Sequence, residues 1–117
     1  MSYIQGMLIP VPFDKKQEYY DLAVKSAPIF MEYGAVRIME SWGDNLTDGK
    51  VTDFKKSVQA IDGENVVFSW IEWPDKDTYL AAVEKMETDP RWEMFNDMPF
   101  DGKRLIWSGF ETLFEAK

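Results

Sequence analysis

Two glutamates in this chain stand beside indoles: Glu40 and Trp42 in "ESWGDN", and Trp70, Glu72 and Trp73 in "VVFSWIEWP". A carboxyl group held against an apolar wall loses hydration, and its pKa can climb into the range useful for proton transfer near neutrality. A second set lies in "MPFDGKR", residues 98–104. There Asp101, Lys103 and Arg104 make a small anion-handling group, and Gly102 allows a close backbone approach. Arg104 has the planar fork that holds a carboxylate or phosphate through two bonds. The competing account is structural: Asp101-Gly102 turns the chain into a last strand, while Lys103 and Arg104 pair with nearby carboxylates. Glu40, Trp42, Trp70, Glu72, Asp101, Lys103 and Arg104 together form the candidate ligand pocket.

What is missing narrows the chemistry further. The chain has no cysteine and no histidine, so thiolate nucleophiles, the usual zinc sites, His-ligated haem and Ser-His or Cys-His pairs are all excluded. Proton transfer would fall to Asp, Glu, Lys or Tyr. "GDNLTDGK" fails as a calcium loop, because Leu46 occupies a position that needs an oxygen ligand. It also fails as a phosphate loop, because Gly49-Lys50 is followed by Val51 rather than Ser or Thr. The chain is expected to work with no metal and no cofactor. With 13 basic against 21 acidic residues, a net of −8, its surface repels phosphate backbones, and no nucleic acid is expected as a partner.

These residues must be positioned by local elements. "YIQGMLIPVP" reads as a strand over 3–12, ended by Pro10 and Pro12. A helix follows over 13–34, with Asp14 as its cap, Gln17 completing a capping box, and Tyr19, Leu22, Ala23, Ser26, Phe30 and Met31 on one face. Pro28 predicts a kink or break, and Gly34 a stop. "AVRIMESW" (35–42) is a second strand. The stretch 52–61 fits either a short helix capped by Thr52 or a hairpin. "NVVFSWIEW" (65–73) is a third strand ended by Pro74. A helix over 75–89 turns Tyr79, Ala82, Val83 and Met86 inward, Pro90 opens another helical turn, and a last strand runs over about 104–114. At 117 residues this is one domain over 1–117. Its βαββαβ order predicts an α+β fold, a ferredoxin-like sandwich with an antiparallel sheet. No basic leader or apolar run of roughly 18 residues is visible, so no membrane contact and a cytoplasmic setting are expected.

The strands carry more apolar surface than two helices can cover. One face of 65–73 holds Val66, Phe68, Trp70 and Glu72, and the other Val67, Ser69, Ile71 and Trp73. A sheet with one solvated face would show a polar residue at every second position. Two helices cover one face, and leaving the other in water would cost roughly 1.5–3 kcal/mol per large side chain relative to burial. A second copy of the sheet, related by a two-fold axis, is the expected cover. The alternative is that 43–61 and 90–100 fold over that face within one chain.

At this point a resemblance becomes specific. "YGA" (33–35), "ESWGDN", "DGKVTDF" (48–54), "VVFSWIEWP" (66–74), "DPR" (89–91), "MPFDGKR" and "SGFE" (108–111) are similar to the signature blocks of the bacterial YbaA-like family of unknown function, within the dimeric α+β barrel superfamily. The resemblance covers nearly the whole chain. It implies a ferredoxin-like protomer and a homodimer closed through the sheet face, two protomers forming a dimeric α+β barrel. The superfamily includes cofactor-free oxygenases, isomerases and haem enzymes whose cavities lie between sheet and helices. Many relatives carry histidine where this chain has Tyr33, so any chemistry of that histidine does not transfer. The expected function is binding or transforming a small molecule in a sheet–helix cavity, with enzyme and ligand carrier both open. The alternative is a non-catalytic dimeric interaction module; RNA association has no basic patch to support it.

Overall fold

β-Branched and aromatic residues suit a pleated, half-buried surface, and the stretches richest in them become the strands. The computed structural model describes residues 2–117. Four strands are present: β1 (Tyr3–Pro12), β2 (Arg37–Trp42), β3 (Glu64–Trp73) and β4 (Ile106–Glu111). Helix α1 (Lys16–Glu32) joins β1 to β2, short α2 (Phe54–Ser57) lies between β2 and β3, and α3 (Lys76–Thr88) follows β3. The sheet order is β2-β3-β1-β4, with every neighbouring pair antiparallel. This is the ferredoxin-like α+β sandwich expected from the element order.

The register assigns the faces. Met7 pairs with Ser69 and Trp107, and Glu40 pairs with Ser69, so these residues share the face that α1 and α3 cover. On that side Ile71 and Trp73 pack with Ile29, Tyr33, Tyr79 and Ala82, while Ile9, Val11 and Val67 pack with Tyr19. The opposite face carries Leu8, Phe68 and Ile106 in register.

Several local expectations need correction. Asp14 does not cap α1: it lies inside a 3-10 turn, Phe13–Lys15, and the helix begins at Lys16 with no side-chain cap bond. The cap of α3, for which the sequence reading names no residue, is Asp75, accepting from the Thr78 N–H at 2.7 Å. The stretch 52–61 resolves as the short helix, capped by Asp53 rather than Thr52 through the Lys56 N–H at 2.7 Å. Pro28 lies inside α1 without ending it, between the buried Ser26 and Ile29. Ile29 takes the inward position expected of Met31, which is exposed. Gly34, at φ 109°, ends the helical run in the left-handed conformation that glycine adopts freely. β4 is shorter than expected, and Leu113 and Phe114 lie beyond it, exposed.

The second sheet face is only partly roofed. The connection between β2 and β3 buries Val58 and Val66 and brings Phe54 to 6.3 Å from Phe68. Phe68 and Ile106 each remain 47% exposed, and Phe110 57%. The 3-10 segment Pro90–Asp97 packs on the helical side instead, with Trp92 at 4.8 Å from Phe30. The chain's own loops therefore cover one end of this face and leave the middle open.

Trp73 ties the helical layer to the sheet. It is 1% exposed, contacts both helices through Phe30 and Tyr79, and donates its indole N–H to Gln5 Oε1 at 3.2 Å. Trp73→Ala should cost about 3–5 kcal/mol, read as a lower urea midpoint at unchanged slope. A loss under about 1 kcal/mol would contradict this packing.

Candidate functional site

β2 turns Glu40 toward α1, and the register places Ser69 directly opposite on β3. Tyr19, in the first turn of α1, reaches down from the helix. Its Oη donates to Glu40 Oε1 at 2.6 Å, and Ser69 Oγ donates to Glu40 Oε2 at 2.9 Å. Both donors are buried. The carboxyl is therefore held from the helix and from the sheet at once.

Two chambers flank this bridge. The larger, about 430 Å³, lies between the sheet and the helical layer and is bordered by Trp92, Phe95 and Met98 of the segment after α3. The smaller, about 370 Å³, lies toward Lys16, Tyr20 and Trp42. Tyr19, Ala23 and Glu40 line both. Cavities of these sizes are within the range that accepts small molecules.

Glu40 is exposed on the chamber side, while its carboxyl is packed against the Tyr19 and Ser69 hydroxyls. Desolvation pushes its pKa above the ordinary carboxylate value of 4.5, opposed by the hydrogen bonds from Tyr19 and Ser69. Desolvation, then the charge and the hydrogen bond of Glu40, push the Tyr19 phenol far up, so it remains a donor. The arrangement can accept a proton at Glu40 and return it, with Tyr19 and Ser69 steadying the carboxylate form. Among the described residues, no group of three or more His, Cys, Asp or Glu side chains could hold a metal ion.

The structure does not bring the seven candidate residues into one pocket. Glu40 and Trp42 face the helices. Trp70 and Glu72 lie on the opposite face, where the Arg37 guanidinium stacks 5.0 Å over the Trp70 ring. Asp101, Lys103 and Arg104 form a separate turn. Asp101 accepts from the Lys103 N–H and from Arg104 Nε, each at 2.9 Å. Arg104 clasps Glu64 through two bonds of 2.7 Å and reaches the Gln59 carbonyl at 2.9 Å. Those bonds hold the Glu64 carboxyl below its usual value and the guanidinium above its own. Arg104 is thus a structural clamp between the start of β3 and the approach to β4.

Tyr19, Ser69 and Gln5 are the site residues that sequence reasoning missed. Ser69 had a readable signal, as a small polar residue on a strand face otherwise made of Val, Ile and Trp. The "DPR" block also finds its use: Asp89 accepts from Tyr33 Oη at 2.5 Å and from Arg91, and Arg91 also pairs with Glu32. Trp92 donates to Tyr33 Oη at 2.9 Å. This knot pins the segment that borders the larger chamber.

Sheet order, paired crossover helices and a carboxyl between the layers define a ferredoxin-like α+β protein. Two solved structures share the architecture. One is a dimeric ferredoxin-like protein from an uncultured marine organism, with a TM-score of 0.58 and 12% identity over 99% of this chain and 100% of that one. The other is an uncharacterized NIPSNAP domain protein from Burkholderia xenovorans, with a TM-score of 0.58 and 16% identity over 98% and 99%. In sequence, the family described as "Protein of unknown function (DUF1428)" matches residues 2–102. The chain is 51% identical over 116 residues to the protein named "Uncharacterized protein YbaA" in Escherichia coli (strain K12), covering 98% of this chain and 99% of that protein. The identity to its Shigella flexneri counterpart is the same, 51% over 116 residues. The chain belongs to this family, as its sequence blocks implied.

The raised pKa of Glu40 has a signed consequence. Between the ordinary value of 4.5 and the raised folded value, the folded chain keeps a proton that the unfolded chain releases. Its contribution therefore lowers stability as pH rises through that window and levels off above it. Glu40→Gln should remove this component, so that the melting temperature of the variant gains on the wild type from pH 4.5 upward. Parallel pH profiles would show that Glu40 titrates normally.

Proposed function

We propose that this chain is a homodimeric small-molecule protein, each protomer holding its ligand in the larger chamber with Glu40 as the polar anchor. The observation that carries the reading is a cavity of about 430 Å³ whose wall is largely apolar and which meets one doubly hydrogen-bonded carboxyl. Assembly alone supplies no reason for such a space between sheet and helices. Few convergent polar groups in an apolar pocket are what ligand sites generally have.

Dimerisation is supported by the exposed sheet face bearing Phe68, Ile106 and Phe110, because monomers rarely expose contiguous apolar surface of that kind. A fold neighbour described as dimeric adds to it. In this reading the two faces of the sheet have separate roles: the helical side holds the ligand and the open side holds the second copy. The setting is cytoplasmic. The net charge of −8 argues against a nucleic-acid partner, and no helix among the described residues is long and apolar enough to cross a membrane.

Two measurements test this. Sedimentation equilibrium at micromolar concentration should give a dimer, and the double variant Phe68→Glu, Phe110→Glu a folded monomer; a monomeric wild type would remove the second copy from the account. A thermal-shift screen of metabolites should yield compounds that raise the melting temperature, since a ligand at 100 times its Kd stabilises by about 2.7 kcal/mol. Glu40→Ala should lose that shift, whereas Glu72→Ala, on the opposite face, should keep it. A screen with no stabilising compound would leave the non-catalytic module as the better reading.

A further inference from the structure

The larger chamber has one-sided chemistry. Met7, Phe30, Met86, Trp92, Phe100 and Trp107 make up much of its wall. Its two charged residues are both carboxylates: Glu40 between the layers and Glu87 on the exposed side of α3. Among the described residues, no lysine or arginine lines it. Lys16 lines only the smaller chamber, with its ammonium 5.4 Å from the centre of the Trp42 ring, and Arg104 is engaged by Glu64 and Asp101. An organic anion entering the larger chamber would lose its hydration and meet no cation in return.

A donor group meets the opposite situation. Each oxygen of Glu40 accepts one bond, from Tyr19 or from Ser69, and a carboxylate oxygen has room for another. Gln5, buried and on the same wall, accepts the Trp73 indole N–H at its Oε1. An indole N–H can only donate, which fixes that amide's orientation.

Resting on the small-molecule reading above, we infer that the larger chamber takes an apolar molecule with one hydroxyl or amine head, which donates to Glu40, and that it rejects organic anions. A hydroxyl brings a donor and an acceptor; an ammonium brings a donor and the charge that complements a carboxylate. The aromatic and thioether wall suits the flat or flexible apolar body of either.

Calorimetric titration with three probes on one carbon skeleton tests this: 2-naphthylmethanol, 2-naphthylmethylamine and 2-naphthoic acid, each with wild type, Glu40→Gln and Glu87→Gln. The alcohol and the amine should bind wild type more tightly than the acid by about tenfold or more. Glu40→Gln should bring the three within about threefold, while Glu87→Gln keeps the wild-type order. An acid that binds wild type as tightly as the amine overturns the inference and leaves a small-molecule chamber standing. An order that survives in Glu40→Gln, or is lost in Glu87→Gln instead, overturns Glu40 as the acceptor. Binding by none of the three overturns the inference, and the metabolite screen separately decides the chamber itself.

Discussion

One carboxyl joins the two layers of this protein. Glu40 receives a phenol from α1 and a hydroxyl from β3, and both donors come from the buried interior. An acceptor so placed cannot be traded for a hydrocarbon without stranding two buried hydroxyls, each of which would then lack its partner. The bridge also sets the geometry of the space around it, since both chambers are bounded by the Tyr19–Glu40 contact. What the site can bind follows from that arrangement: an apolar wall, an acceptor raised in basicity by desolvation and, among the described residues, no cation in the larger chamber.

Much of the fold was legible because strand periodicity is strict. β1 spans the expected residues, and the parity of β3 correctly separated Phe68, Trp70 and Glu72 from Val67, Ser69, Ile71 and Trp73. Parity within a strand, however, does not say which faces of two strands coincide. Glu40 was rightly grouped with Trp42, and Trp70 with Glu72. That these pairs point in opposite directions depends on Glu40 lying opposite Ser69 rather than opposite a residue one place along. A shift of one residue would have exchanged them, and the long connection between β2 and β3 hides that register from any local pattern.

The other misreadings have local causes. Asp14 has the type and spacing of a helix cap, but a 3-10 turn delays the helix beyond its reach. Arg104 has the chemistry of an anion clamp and, as the structural account had it, uses it on the chain's own carboxylates: Asp101, three residues before it, and Glu64, forty residues before it, a partner that spacing could not reveal. Tyr19 and Ser69 each looked like core. Their second role appears only when α1 is laid over β2 and β3, where two unremarkable hydroxyls converge on one carboxylate.

The direct test of that convergence is the titration of the Glu40 carboxyl itself, followed by carbon-13 NMR on protein labelled at the glutamate side-chain carboxyl and assigned by comparison with Glu40→Gln. The account predicts one glutamate resonance with a midpoint above the ordinary value of 4.5, lost from the spectrum of the variant. A Glu40 midpoint at or below that value would mean that hydration and the bonds from Tyr19 and Ser69 outweigh desolvation, and the account of a desolvated acceptor would fail.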